Sequence, residues 1–259
     1  MPKYGVQNVC DLGLGDRLGR IAEICQYYED QGLDGLALVE VRTTKVLHVI
    51  RRLLPSLPYS LFKKGLIGPA GGLLTLSKDP IHPIDGVGYV SFSDNPLRFG
   101  RGFAKGAQPW QSNGVTGITV HPSCNPHANW ELNGTFMRAL RWQVEELTSL
   151  VARVENVSDE GLIVIGDTNF PPGSLLYERF KQDTGLVDPF DDEPTIRYRG
   201  KACRLDGVYY KGWGTCVVKT RHTFQGRTAP MHRLRGQTHF VSDHEGLILD
   251  LERETPAGS

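Results

Sequence analysis

The residues best suited to chemistry in this chain lie at the ends of apolar runs. Leu162-Ile163-Val164-Ile165 leads into Gly166-Asp167-Thr168-Asn169. The alternation of an extended chain places Asp167 and Asn169 on one side, where a carboxylate and an amide donor could address one small anionic group. An Asx turn closing the strand is the competing account of the same residues. Val241-Ser242-Asp243-His244 offers a metal-ligating carboxylate beside an imidazole that titrates near neutrality, or else an ordinary loop. Glu40 follows the run Gly35–Val39, His121 ends Thr116–Val120, Asp206 opens a run into Tyr210, and Asn8 sits in Val6-Gln7-Asn8-Val9. Each of these alone also reads as a solvated or structural strand end. In order along the chain, they form a set of oxygen and imidazole donors without thiolates. Such donors suit Mg²⁺ or Ca²⁺ better than zinc. Phosphoester hydrolysis needs that combination: a cation at the phosphoryl oxygens, a base for water and donors for the developing charge.

The elements that must position these groups are legible from periodicity. Asp16 to Gln31 predicts a helix with Leu18, Ile21, Ile24, Cys25 and Tyr28 at helical spacing, an Asp16 cap and a Gly32 stop. A second helix is expected over about 135–154 and a third over 175–182. Short apolar runs bounded by Gly, Pro or Asp predict strands at 35–39, 72–76, 88–92, 116–120, 162–165, 208–210, 216–218 and 247–251. Strands outnumber helices, so sheet packed on sheet with helices outside is expected, in one domain over 1–259. Two stretches resist assignment: Ser93–Gly114, which carries Arg101, Lys105 and the aromatic residues Phe99, Phe103 and Trp110, and the acid-free Lys219–His239, which carries Arg221.

Composition narrows the function classes. The 259 residues are 39% hydrophobic and 22% charged, which excludes wholesale disorder. Lys+Arg and Asp+Glu both number 29, so the whole chain has no net attraction for nucleic acid or acidic membrane. The five cysteines are an odd number without CxxC spacing, against both a disulfide framework and a cysteine-built zinc site. No apolar run reaches the roughly 18 residues of a spanning helix, and no secretory leader is visible, so a cytoplasmic location is expected.

The ordered series resembles the endonuclease/exonuclease/phosphatase superfamily, the DNase I-like fold. Asn8, Glu40, Val120-His121, Gly166-Asp167-Thr168-Asn169, Asp206 and Ser242-Asp243-His244 stand where that family carries its motifs. Within it the chain is similar to the neutral sphingomyelinase branch at 59–81, at Thr184–Asp188, at Arg204–Lys211 and from Ser242 to Leu247. Val39, Val120 and Pro122 replace the family's usual Gln, Thr and Leu, and the Gly-Lys segment is altered around Phe103–Gly106.

The resemblance implies an α+β, four-layer α/β/β/α sandwich of two mostly antiparallel sheets with helices outside. It implies Glu40, Asp243, Asn8 and Asp167 at a metal, expected to be Mg²⁺ with Mn²⁺ or Ca²⁺ as alternatives. It makes His244 the general base oriented by Asp206, with Asp167 helping to hold the water and His121 and Asn169 serving the phosphoryl group. Asn169, Lys105, Arg101 and Arg221 are the expected substrate contacts. The expected activity is a phospholipase C-type phosphodiesterase on a phospho-headgroup lipid. The acid-free basic loop instead suits a soluble, multiply charged phosphate compound. A nuclease is disfavoured by the neutral chain, and a non-catalytic binding domain by retention of the whole donor set.

Overall fold

The computed structural model describes residues 2–9, 17–92, 105–123, 135–158, 161–190, 194–198, 201–212, 216–222, 228–229, 239–240, 242 and 244–252. The chain opens with β1 (Lys3–Asn8), α1 (Arg17–Glu29), β2 (Gly35–Val39), α2 (Thr44–Leu53), β3 (Tyr59–Leu61) and β4 (Leu74–Ser77). It continues through β5 (Ile81–His82), β6 (Val90–Ser91), β7 (Gly106–Ser112), β8 (Val115–His121), α3 (Thr135–Glu155), β9 (Leu162–Asp167) and α4 (Leu175–Thr184). The last part holds β10 (Ile196–Tyr198), β11 (Lys201–Cys203), β12 (Asp206–Lys211), β13 (Cys216–His222), β14 (Thr228–Ala229), β15 (His239–Phe240) and β16 (Gly246–Glu252).

One mixed sheet runs β13-β16-β1-β2-β4-β3, and a second runs β12-β9-β8-β7-β5 with β6 also on β7. Within these sheets only β1–β2 and β8–β9 pair in parallel. Both central strands are buried on both faces, which is why β2 and β9 read as unbroken apolar runs. In β2, Leu36 and Leu38 meet α1 and α2, while Ala37 faces the other sheet. In β9, Leu162 and Val164 meet α3 and α4, while Ile163 and Ile165 face inward. The molecule is therefore an α+β sandwich of four layers, helix, sheet, sheet, helix. Among the described residues no helix is long and apolar enough to cross a membrane.

Two elements go beyond those the sequence pattern predicts. The helix α2 was not foreseen, although Thr43 caps it and Val46, Leu47 and Ile50 pack inward. Seven residues of the unassigned stretch 93–114 form β7. Pro109 is tolerated there because β6 and β5 pair with β7 only at 106–107 and 111–112. Trp110, one of the aromatic residues of that stretch, is only 2% exposed and packs against Gly117, where any Cβ would come 2.2 Å from its ring. Phe99 and Phe103 lie outside the described residues.

Candidate active site

The topology brings the donor set to one edge of the sandwich. Asn8 and Val39 end the parallel strands β1 and β2, and β16 runs antiparallel to β1 from the same end, just after His244. In the other sheet His121 ends β8 and Asp167 ends β9. Their antiparallel partners start there: Asp206 lies opposite Asp167, and Gly106, which follows Lys105, lies opposite His121.

At that edge the side chains meet. His244 Nδ1 is 2.6 Å from Asp206 Oδ2, both buried. Asn8 Nδ2 donates to Asp167 Oδ2 at 3.1 Å and points at His244 Nε2 at 3.5 Å. An amide nitrogen only donates, so Nε2 is the acceptor and the ring proton sits on Nδ1, facing Asp206. Ser242 fixes this imidazole locally: its hydroxyl accepts the His244 N–H at 3.1 Å and donates to the Asn8 carbonyl at 2.8 Å. Gln7 holds the His244 carbonyl from the other side at 3.2 Å.

The other half of the site is cationic. Glu40 Oε1 lies 2.9 Å from Arg42 Nη2, 3.8 Å from His121 Nε2 and 3.9 Å from Lys105 Nζ. Lys105 is buried and bonds the His121 ring. Burial, then the Lys105 ammonium, then Arg42 hold His121 well below the ordinary imidazole range. Its 3.5 Å contact with Asp167 Oδ2 is therefore that of a neutral ring, not an ion pair. Burial first, then the Asp206 carboxylate, pushes Asp167 up to about 7. Asn169 takes a left-handed φ of 55°, its N–H donates to Asp167 Oδ1 at 3.2 Å, and its amide donates to the Pro122 carbonyl at 3.0 Å.

The residues fit a hard divalent cation. Ligand atoms of Asp167, Asp206 and His244 lie within 4.8 Å of one another. Asp206 Oδ1 is buried without a hydrogen-bond partner, and burial together with the Asp206 carboxylate keeps a proton on Asp167 to near neutrality. A cation at these oxygens would satisfy both.

Asn8, Glu40, Lys105, His121, Asp167, Asn169, Asp206 and His244 are thus gathered in one place. Asp243, Arg101 and the Arg221 side chain lie outside the described residues. Arg42 was missed, although its place two residues after Glu40 put it on the same side of an extended chain. Thr195 was missed as well. It is fully buried, and its hydroxyl accepts the N–H groups of Leu205 at 3.0 Å and Asp206 at 3.1 Å. No local pattern marks it.

A model of the endonuclease/exonuclease/phosphatase family matches residues 11–244. The chain belongs to that family. No curated protein sequence matches it significantly. Among solved structures, beta toxin from Staphylococcus aureus with bound magnesium ions is 15% identical with a TM-score of 0.67, covering 95% of this chain and 98% of the toxin. Sphingomyelinase C from Streptomyces griseocarneus is 18% identical with a TM-score of 0.63, covering 96% of this chain and 98% of its own. TDP2 from Caenorhabditis elegans is 16% identical with a TM-score of 0.67, covering 96% and 74%. At these identities the likeness establishes the DNase I-like fold of this family member, and the family makes it a phosphoester hydrolase.

Proposed function

We propose that this family member is a Mg²⁺-dependent phosphodiesterase of the sphingomyelinase type, cleaving a phospho-headgroup ester by in-line attack of water. The observation that carries the reaction type is the buried Asp206–His244 pair, 2.6 Å apart, with Asp167 beside it. Sphingomyelinase C among the structural neighbours supports the lipid substrate. Asp167, Glu40, Asn8 and Asp243 would hold the cation, with Asp206 Oδ1 a further oxygen at the same place. When bound, the cation supplies charge neutralisation at the phosphoryl oxygens.

His244 takes the proton of the attacking water at Nε2, while Asp206 keeps the other ring proton on Nδ1 and stabilises the imidazolium that results. Asn169 directs its second amide hydrogen at a non-bridging oxygen. Lys105 and neutral His121 face the charge that builds in the pentavalent transition state. They form a positive charge and a hydrogen-bonding ring, both already desolvated.

The test is a substrate panel with Mg²⁺ and with EDTA: sphingomyelin in mixed micelles, plasmid DNA, and soluble phosphodiesters and phosphomonoesters. Phosphocholine release from micelles, abolished by EDTA, is expected. Cleavage of soluble esters with silent micelles would replace this reading by the second one, a hydrolase of a multiply charged phosphate compound. The observation favouring that second reading is the presence of both Arg42 and Lys105 beside Glu40, since a zwitterionic choline head gains little from two cations. Plasmid nicking alone would make the protein a nuclease.

A further inference from the structure

From Val41 to Ser77 the chain has no Asp or Glu, yet it carries Arg42, Lys45, Arg51, Arg52, Lys63 and Lys64, in a protein with no net charge. Lys45, His48, Arg51 and Arg52 lie on the exposed side of α2, opposite the Val46, Leu47 and Ile50 that pack into the core. Lys63 and Lys64, also exposed, lead into a closed tip in which the Gly65 N–H donates to the Gly68 carbonyl at 2.8 Å. At this tip Leu66 is 95% exposed and Ile67 57%. Neither belongs to any of the three core clusters. A single exposed apolar residue needs no explanation, but an adjacent pair held out on a constrained turn just after two exposed lysines does.

The tip is fastened to the candidate site. The Ile67 carbonyl accepts the Thr44 N–H at 2.9 Å and its hydroxyl at 3.1 Å. Gly68 packs so closely on Arg42 that a Cβ would lie 2.6 Å from the Arg42 carbonyl oxygen. Thr44 is four residues beyond Glu40, so at most about 14 Å of chain separates them. Among the acids near this face, Glu40 is bonded to Arg42 and Glu29 to Ser56.

We propose that the 63–68 tip is an interfacial anchor. Leu66 and Ile67 enter the headgroup–acyl boundary of a phospholipid surface, and Lys63, Lys64 and the cations of α2 engage its anionic headgroups. The inference rests on the lipid-substrate reading above, since the anchor brings the candidate site to the bilayer. Nucleic acid would use the cations but has no use for an exposed aliphatic pair.

The experiment is co-sedimentation of the full chain with vesicles free of sphingomyelin, either phosphatidylcholine alone or phosphatidylcholine with phosphatidylserine at about 3:1. Wild type should bind the anionic vesicles preferentially and more weakly at high salt. Leu66→Ser with Ile67→Ser should weaken binding at least about tenfold, while melting temperature and turnover of a soluble diester stay unchanged. Lys63→Glu with Lys64→Glu should abolish the preference for phosphatidylserine. The proposal falls if wild type ignores vesicles, if the apolar variant binds them like wild type, or if it loses soluble turnover alongside binding. Retention on an oligonucleotide but not on vesicles also overturns it. If the variant loses vesicle binding and wild type still leaves sphingomyelin intact, the anchor stands and the substrate reading falls.

Discussion

Thr195 joins the two chain segments that build the Asp206–His244 pair, and its replacement offers a quantitative test of that site. Its hydroxyl oxygen accepts the N–H groups of Leu205 and Asp206, its own N–H donates to the Cys203 carbonyl, and its carbonyl accepts the Glu245 N–H at 2.8 Å. Thr195→Val keeps the shape and removes the acceptor, leaving two buried donors unsatisfied at the entry to β12. Each such donor costs about 1–3 kcal/mol, so roughly 2–6 kcal/mol of stability should be lost. At about 2–4 °C per kcal/mol for a chain of this size, the melting temperature should fall by roughly 5–20 °C. Asp206 would then sit less firmly behind His244. A positioned base is worth about 10²–10⁴-fold, so a partial misalignment should lower kcat on a soluble diester about tenfold or more with KM little changed. Thr195→Ser, which keeps the oxygen, should recover both melting temperature and kcat, and the acid limb of the pH–rate profile should shift only in the Val variant. Wild-type melting and turnover in Thr195→Val would refute the reasoning. So would a Ser variant as damaged as the Val one, because methyl packing would then be the cause.

His244→Ala should melt close to wild type yet lose at least about two orders of magnitude in kcat, measured on the same diester. The stabilisation by Mg²⁺ should depend on pH. Burial and Asp206 push Asp167 up to about 7 from 3.8, so the folded chain binds that proton more tightly than the unfolded one. Asp167 thus favours folding in acid, and the benefit disappears as pH rises through about 7. Mg²⁺ should therefore raise the melting temperature more at pH 8 than at pH 5.5, and an equal shift at both would contradict the assignment of Asp167 to the cation. Gly72 has a φ of 70°, and a Cβ there would come 3.0 Å from Glu40 Cα. Gly72→Ala should raise the Mg²⁺ concentration needed for half-maximal activity several-fold. Gly32→Ala has the same left-handed strain but nothing within 4 Å, so it should lower only the melting temperature.

The parts of the fold legible in the sequence are those whose local pattern and final environment agree. Gly35–Val39 reads as a strand with its observed ends because both faces are covered, and α3 and α4 declare themselves through one apolar stripe each. The pattern failed where tertiary context overrode it. Pro109 and the polar residues Gln108 and Gln111 conceal β7, whose pairing on one side is interrupted where the proline sits. In α2, three cations and a histidine on the outer side conceal the short inward stripe of Val46, Leu47 and Ile50. The chemical groups were visible as residue types at strand ends, but their meeting was not. Asp206 and His244 are 38 positions apart, and only antiparallel pairing of β12 on β9 and of β16 on β1 brings them to one edge. Nothing in a one-dimensional pattern ties Thr195 to that pair.

Backbone strain at the site points the same way as its side chains. Among the described residues, the non-glycine positions with positive φ are Glu40, Asn113 and Asn169. Asn113 with Gly114 closes the β7–β8 hairpin, where a left-handed pair is ordinary turn chemistry. Asn169 follows Asp167 in a turn that asparagine tolerates well. Glutamate has no such excuse, and holding it left-handed costs on the order of 1 kcal/mol or more. The cost is met by specific neighbours: the Val41 N–H donates to the Gly72 carbonyl at 3.0 Å, Arg42 grips the carboxylate, and Gly72 leaves room against the Glu40 backbone. With this φ at the end of β2, the Glu40 carboxylate lies within 4 Å of His121 and Lys105 of the opposite sheet. A residue serving only to end a strand would gain nothing from that conformation, whereas a carboxylate that must meet side chains of the opposite sheet depends on it.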